Sequence, residues 1–221
     1  MNIMDIIGPV MVGPSSSHTA GAVKIGQISR KLLAEPGQQA EICFHGSFLA
    51  TGKGHGTDRA LVAGLLGLAV DDENIPNSFA IAAERNLTFS IHGIDLGDAH
   101  PNTVKMKLTG ESGRTLEIVA ASIGGGQIRI CEIDGLTANF CGEYPTLIVH
   151  NLDQPGHVTE VTSMLAHKSV NIATMQLYRD SRGGNAVMVI ECDQEVPQEA
   201  IRWLEHLEGI EKVTYLSLEE S

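Results

Sequence analysis

The sequence has little positive charge and few aromatic residues. Among its 221 residues, 15 Lys and Arg stand against 27 Asp and Glu, so the formal net charge is −12 at pH 7. Aromatic residues make up only 4% of the chain. Nucleic acids and anionic membrane surfaces bind clusters of Lys and Arg, and single-stranded nucleic acids also stack on aromatic side chains. We therefore expect neither nucleic acid nor a membrane among the partners.

Cysteine is also scarce. The four cysteines, Cys43, Cys131, Cys141 and Cys192, include no Cys-x-x-Cys pair. A zinc site or a self-contained iron–sulfur cluster is therefore not indicated, and four cysteines are too few for a disulfide framework in a chain of this length. We expect free thiols in a reducing cytoplasm and no metal site on this chain.

Long apolar runs and an early basic segment are missing too. The longest apolar run, residues 60–70, is too short to cross a bilayer. No Lys or Arg precedes Lys24, so the basic region of a signal peptide is absent. Hydrophobic residues still make up 43% of the chain, enough for one or two globular cores. These features predict a cytoplasmic globular protein.

The last third of the chain follows a β-α-β-β-α-β pattern. Strands are predicted at residues 146–150, 170–177, 186–192 and 213–218, with one helix after the first strand and another starting at Pro197. This order is typical of ferredoxin-like domains. The composition of the sequence changes at Pro145, so we predict two domains, residues 1–144 and 146–221.

The first domain is predicted to be α+β. Helices are expected over residues 17–33 and 57–70, the second capped by Thr57. Residues 8–12 are predicted to be extended, and strands are expected at residues 40–45, 87–94, 103–108, 115–123 and 127–133. The strands cluster instead of alternating with helices, which favours an α+β arrangement.

The first chemically suggestive motif is Gly-Pro-Ser-Ser-Ser-His-Thr at residues 13–19. Backbone N–H groups at a helix start, surrounded by the hydroxyls of Ser15, Ser16, Ser17 and Thr19, suit a carboxylate. His18 is placed to exchange a proton with such a ligand. Ordinary capping in an exposed loop would explain one or two of these residues, so both interpretations stay open here.

The second motif is Ala-Thr-Gly-Lys-Gly-His-Gly-Thr-Asp-Arg at residues 50–59. It does not match the phosphate-binding P-loop pattern. Its glycines predict a compact loop that allows close approach of a ligand, and two of them flank His55 and leave it uncovered. The alternative is a glycine turn with an exposed histidine.

Three other segments are weaker signals. Ala-His-Pro-Asn-Thr at residues 99–103 fits turn chemistry, with Asn102 as a candidate ligand contact. Ser-Ile-Gly-Gly-Gly at residues 122–126 favours a hairpin. The turn at residues 151–156, Asn-Leu-Asp-Gln-Pro-Gly, either simply joins a strand to a helix or presents amides to an amino acid.

These motifs, together with Gly46 and Ser47, resemble in their order the β portion of iron–sulfur-dependent L-serine dehydratases. Residues 146–221 resemble an ACT domain, a small regulatory module. The first domain is also similar to the allosteric substrate-binding domain of some phosphoglycerate dehydrogenases, where that fold serves regulation. The two resemblances cover nearly the whole chain.

The resemblance implies a chemistry. The family converts L-serine to pyruvate and ammonia, with a [4Fe–4S] cluster held by cysteines of the α portion that makes the substrate hydroxyl a leaving group. This chain would be the β subunit of a two-chain enzyme whose α subunit holds the cluster. Some members have a second His after His55, whereas this chain has Gly56.

The resemblance also implies roles for single residues. His55 and His18 match the family's active-site histidines, with His55 favoured as the acid–base group and His18 as a substrate-binding partner. The expected substrate-binding residues are Ser15, Ser16, Ser17, Thr19 and Asn102.

The ACT resemblance implies a homodimer formed by side-by-side sheets. An amino-acid effector would bind at Asn151, Asp153, Gly156 and Asn171. The alternative to an enzyme subunit is a regulatory, serine-sensing subunit that captures an amino acid without chemistry.

Overall fold

A computed structural model describes residues 10–218 of the chain. The described residues divide into two compact units, one up to Asp134 and one from Gly135 onward. The predicted extended segment 8–12 is described only from Val10 onward, and residues 10–12 form no strand. No helix of the described residues is long and apolar enough to span a membrane.

Among the described residues, the first unit combines four α-helices with five strands of one sheet. A π-helical segment, Ser16–Gly21, continues directly into the first α-helix. A short 3-10 helix, Ile75–Asn77, precedes the fourth α-helix. The helices are α1 Ala22–Leu33, α2 Gly46–His55, α3 Thr57–Leu65 and α4 Ser78–Glu84. The strands are β1 Gly37–Phe44, β2 Thr88–Gly93, β3 Thr103–Gly110, β4 Thr115–Gly124 and β5 Gln127–Ile133.

The sheet order brings one set of strand ends together. The strands lie in the order β2-β1-β3-β4-β5, with β1 and β2 parallel and the other neighbours antiparallel. Phe44 pairs with both Gly93 and Val104, and Thr103 pairs with Ala121. The ends of β1, β2 and β4 and the start of β3 therefore share one edge of the sheet, and the motifs found in the sequence follow or precede these ends.

Helices α1 and α3 pack with their backbones in contact. A Cβ atom added at Gly64 would lie 2.0 Å from the Val23 carbonyl oxygen, and one at Gly26 would lie 2.4 Å from the Leu61 carbonyl oxygen. Only glycine fits this crossing. Residues 60–65 of the apolar run are therefore the buried part of α3.

Several helix predictions for this unit were wrong. The glycine motif at residues 50–55 is not a loop but the end of α2, and Gly56, with φ 67°, joins α2 to α3 in place of a Thr57 cap. Helix α3 ends at Leu65, not at residue 70, because Leu68 N and Gly67 N bond back to carbonyls of its last turn. Helix α4 was not predicted.

The second unit has the predicted β-α-β-β-α-β order, preceded by one extra strand. Its elements are β6 Leu136–Phe140, β7 Thr146–Leu152, α5 His157–His167, β8 Ile172–Arg179, β9 Asn185–Cys192, α6 Gln198–Leu204 and β10 Ile210–Leu216. The antiparallel sheet order β10-β7-β9-β8 is that of a ferredoxin-like domain. The predicted α+β class, with an ACT-like second domain, is confirmed.

The division between the units lies before β6, whereas the sequence placed it near Pro145, after β6. Gln176 of β8 donates through Nε2 to the Asn139 carbonyl oxygen of β6 at 2.8 Å. Strand β6 thus contacts β8, and a contact between residues 37 positions apart leaves no local signal in the sequence.

Candidate active site

Two histidines meet at the sheet edge of the first unit. His18 lies in the π-helical segment and His55 is the last residue of α2. Their ring centroids are 4.8 Å apart, with an angle of 53° between the planes. Gly56, with φ 67°, ends α2 directly after His55. The structure therefore brings together the two predicted catalytic residues.

Hydroxyl groups surround the ring of His18. Its Nε2 lies 3.0 Å from Thr51 Oγ1 and 3.3 Å from Ser47 Oγ, both on α2. Its Nδ1 lies 3.4 Å from Ser15 Oγ, and Phe48 packs edge-on at 5.3 Å between centroids. Both ring nitrogens are therefore engaged by the protein.

The environment keeps His18 neutral. The residue is only 9% exposed. Burial and the nearby His55 lower the pKa of His18, and a hydrogen bond to the Ser47 backbone raises it only in part. A neutral imidazole at pH 7 can donate one hydrogen bond and accept another.

His55 is more open. The residue is half-buried, and its Nδ1 has no hydrogen-bond partner among residues 10–218. A Cβ atom at Gly54 or Gly56 would meet nothing within 4 Å. The flanking glycines therefore leave space beside the ring, as the sequence suggested.

The serine motif forms the entry to the helical segment. Ser15 is extended, with φ −145°, and its Oγ accepts a hydrogen bond from His18 N at 3.2 Å. Ser15, Ser16 and Ser17 are half-buried, so their polar groups reach solvent. Thr19 is 2% exposed and packs under Gly13, where an added Cβ would lie 2.4 Å from its Oγ1. The three serines are therefore partly accessible, whereas Thr19 is buried.

Two further motifs close the same site. Ser47 N donates to the Pro101 carbonyl oxygen at 2.7 Å, and Ser122 N donates to the Asn102 carbonyl oxygen at 3.0 Å. Ser122 is fully buried beside Gly21. The segment at residues 99–103 therefore links α2 to β4, while residues 124–126 form the predicted hairpin turn between β4 and β5.

Several buried polar atoms of this site have no hydrogen-bond partner within the described part of the chain. They are Thr19 Oγ1, His55 Nδ1, Thr57 Oγ1, Asn102 Oδ1 and Ser122 Oγ. An unpaired buried polar atom costs about 1–3 kcal/mol. All five belong to the four motifs found in the sequence of the first unit, and unpaired buried polar groups are typical of a site arranged for a ligand.

Part of the environment of His18 was not predicted from the sequence. No role was expected for Thr51, Ser47 or Phe48, although all three contact His18. Ser47 and Thr51 lie in segments that carry the family resemblance, but their i, i+4 spacing has meaning only once α2 is known to be a helix.

The cysteines do not form a metal site. All four are free thiols, and no group of three or more His, Cys, Asp or Glu side chains within residues 10–218 could hold a metal ion. Burial raises the pKa of each thiol, that of Cys192 to about 11. Protonated thiols are poor metal ligands, so the described residues do not fit a resident iron–sulfur cluster.

The predicted effector residues of the second unit do not form one cluster. Asp153 bonds Arg179 Nη1 at 2.8 Å and Gly183 N at 3.0 Å, next to Asn151 and Gly156 at the start of α5. Asn171 lies beyond the other end of this helix and bonds Asp193 and Gln194 instead. Eleven residues of helix separate the two ends by about 16 Å.

Comparisons with known proteins identify relatives of this chain. A family model described as "Serine dehydratase beta chain" matches residues 2–87. A Bacillus subtilis protein named "Probable L-serine dehydratase, beta chain" is 39% identical over 216 residues, 98% of each chain. The chain belongs to the L-serine dehydratase beta-chain family. A second member, the "L-serine dehydratase, beta chain" of Peptoniphilus asaccharolyticus, is 38% identical over 88% of each chain.

The family model covers two of the motifs that carry the resemblance. These are the serine motif and the glycine motif, and the match therefore includes both histidines. The family resemblance predicted from the sequence is confirmed.

A more distant similarity covers both units. The D-3-phosphoglycerate dehydrogenase of Bacillus subtilis is 29% identical over 89% of this chain, but the match spans only 37% of that enzyme. The matched part of the dehydrogenase therefore resembles this chain in both of its units, which agrees with an ACT-like second domain.

Proposed function

We propose that this chain is the β subunit of a two-chain L-serine ammonia-lyase that converts L-serine to pyruvate and ammonia. Beta chains of L-serine dehydratase match it over nearly their whole length, which supports this proposal. A [4Fe–4S] cluster is assigned to an α subunit, because the described residues offer no ligand set for it. The proposed assembly is cytoplasmic.

The His18–His55 pair carries the proposal. Eliminating water from L-serine requires a base at the α-carbon proton and a holder for the carboxylate. His18 has both nitrogens bonded to protein hydroxyls, whereas His55 keeps a nitrogen without a protein partner in the described residues. This difference favours His55 as the acid–base group and His18 as a residue that binds and orients.

The serine motif is the proposed carboxylate site. Ser15, Ser16 and Ser17 stand at the start of a helical segment that continues through α1, where N–H groups and the positive end of the helix dipole favour an anion. Asn102 is the proposed additional substrate contact, and its carbonyl oxygen accepts from Ser122 N. Thr19 supports the segment from below, since it is buried.

Anaerobic reconstitution tests this function. The chain alone should release no pyruvate from L-serine, and mixing it with the α chain from the same organism should give a complex that contains iron and produces pyruvate and ammonia. An iron-containing complex without pyruvate formation would contradict the proposal.

A regulatory subunit is the second candidate. The similarity to a phosphoglycerate dehydrogenase over 89% of the chain favours a regulatory subunit, because the matched part is only 37% of an enzyme with a different activity. Such a subunit would bind L-serine in calorimetry while His55→Ala leaves the activity of the reconstituted complex unchanged.

We also propose that the second unit mediates homodimerisation and binds an amino-acid effector. Since Asn171 lies at the opposite end of α5 from Asn151, Asp153 and Gly156, one copy cannot bring all four to a single amino acid. The proposed effector site therefore combines the turn at residues 151–156 of one copy with Asn171 of the other. Calorimetry with L-serine on wild type and Asn171→Ala tests this arrangement.

A further inference from the structure

The ring of His18 is held between two hydroxyl-bearing elements. Thr51 of α2 lies at its Nε2, at 3.0 Å, and Ser15 of the serine motif lies at its Nδ1, at 3.4 Å. A neutral imidazole carries one proton, so one of these nitrogens donates and the other accepts. Which nitrogen carries the proton is decided by the other bonds of the two hydroxyls.

The hydroxyl of Thr51 donates its proton to a backbone carbonyl of its own helix. Its Oγ1 donates to the Ser47 carbonyl oxygen at 2.9 Å, the bond that a helical threonine forms with the residue four positions earlier. A carbonyl oxygen only accepts, so Thr51 is the donor in this bond, which is shorter than its contacts with His18 Nε2 and Ser47 Oγ. The lone pairs of Thr51 Oγ1 are then left facing Nε2, and Nε2 must be the donor.

The other side of the ring fits the same assignment. Ser15 Oγ accepts from His18 N at 3.2 Å, and its own proton remains free to point at Nδ1. With the ring proton on Nε2, Nδ1 is an acceptor. Thr51 and Ser15 then each make one donated and one accepted bond. Ser47 Oγ, 3.3 Å from both His18 Nε2 and Thr51 Oγ1, can accept from the same ring N–H or donate to Thr51 Oγ1, so no two protons meet.

We propose that Thr51 is a positioning residue that fixes the Nε2–H tautomer of His18 and so presents Nδ1 as an acceptor to Ser15. The chain of bonds runs from Ser47 O through Thr51 and His18 to Ser15. It couples the position of α2 to the orientation of the first serine of the proposed carboxylate site. The tautomer itself does not depend on the proposed function; only its effect on turnover does.

Nitrogen-15 NMR of the full chain, labelled at histidine, tests the tautomer directly. The His18 signals are identified by their absence in a His18→Gln variant. Wild type is expected to show His18 in the Nε2–H form alone. Thr51→Val, which keeps the shape and removes the hydroxyl, should give a mixture of tautomers, and Thr51→Ser should restore the wild-type pattern.

Thr162→Val is the matched control. Thr162 of α5 makes the same bond to a carbonyl four residues earlier, that of Val158, at 2.8 Å, and its hydroxyl is bonded to backbone carbonyls only. This variant should leave the His18 signals unchanged. A wild-type His18 in the Nδ1–H form, or a Thr51→Val spectrum identical to wild type, would overturn the proposal whether or not the variants retain activity.

Kinetics of the complex with the α chain give a second readout. Thr51→Val should raise the KM for L-serine about 3- to 10-fold with kcat nearly unchanged, because one hydrogen bond that orients the serine motif is lost. Thr51→Ser should return KM to the wild-type value. An unchanged KM in Thr51→Val would overturn the coupling between Thr51 and the serine motif. A wild-type complex without any turnover would overturn the proposed function, and the NMR spectra alone would then decide the tautomer of His18.

Discussion

At the scale of single residues, the two central histidines differ by their surroundings alone. His18 is enclosed by hydroxyls and the edge of Phe48, while His55 ends a helix between two glycines. One imidazole is therefore held as a fixed hydrogen-bonding group, and the other retains a nitrogen for a reacting proton. Position in the fold assigns different roles to the same side chain.

Replacing His55 tests its assignment. His55→Ala is expected to lower kcat of the reconstituted complex by about 10²-fold or more, because a positioned general base contributes a factor of this size. His206→Ala, an exposed histidine of the second unit that bonds the Arg202 carbonyl oxygen, is the control and should keep wild-type turnover. Full activity of the His55→Ala complex would remove His55 from the chemistry.

His18 should make the stability of the chain depend on pH. Its pKa is lowered in the folded state, chiefly by burial, so the unfolded state binds a proton more readily. Stability is then fully present above the unfolded pKa of about 6.5 and falls as the pH drops below it. Urea unfolding at pH 7.5 and 5.5 should show a larger loss for wild type than for His18→Asn, and an equal loss in both would contradict this linkage.

At the scale of elements, glycine has two opposite roles in neighbouring helices. In α2, Gly54 meets no atom at its Cβ position, whereas Gly64 of α3 lies against the backbone of α1. The first glycine weakens a helix that carries site residues, and the second permits a helix crossing. Sequence composition does not distinguish these cases.

Alanine substitution at the two positions should have opposite effects. Gly54→Ala is expected to stabilise the chain by up to about 1 kcal/mol, since alanine is the better helix former. Gly64→Ala should destabilise it by about 1–3 kcal/mol, because the added methyl group would lie 2.0 Å from the Val23 carbonyl oxygen. Urea denaturation measures both, and a stabilised Gly64→Ala variant would refute the close crossing.

Element boundaries were predicted well where local chemistry marks them. Strand β5 was predicted over the residues it occupies, and the Gly124–Gly126 turn was recognised as a hairpin. Helix α2 was missed because its glycines lower helix propensity, and only its packing, with Phe48 against Phe44 and His18, compensates for them.

At the scale of the whole molecule, the chain carries one proposed chemical unit and one proposed regulatory unit. The second unit exposes Leu177 to 50% on β8, an edge strand of its four-stranded sheet. Exposed edge strands with apolar side chains favour pairing with another sheet. This feature supports the side-by-side dimer proposed for the ACT-like domain.

Sedimentation of the full chain tests the dimer. Wild type is expected to sediment as a dimer at micromolar concentration, and Leu177→Glu should weaken association about 10-fold or more, because it places charges along the paired edge. Val158→Glu, at a position 40% exposed on α5, is the control and should remain dimeric. A monomer independent of concentration would exclude this assembly.

The sequence by itself determined the α+β class, the order of the second unit and the residue types of the site, because hydrophobic periodicity, turn residues and motif order are local properties. The tertiary structure decided which of those residues meet. Thr51 and Ser47 became neighbours of His18 only through the packing of α2, and β6 meets β8 only in the folded chain. Contacts between residues distant in sequence depend on how helices and strands pack, and no local pattern encodes that packing.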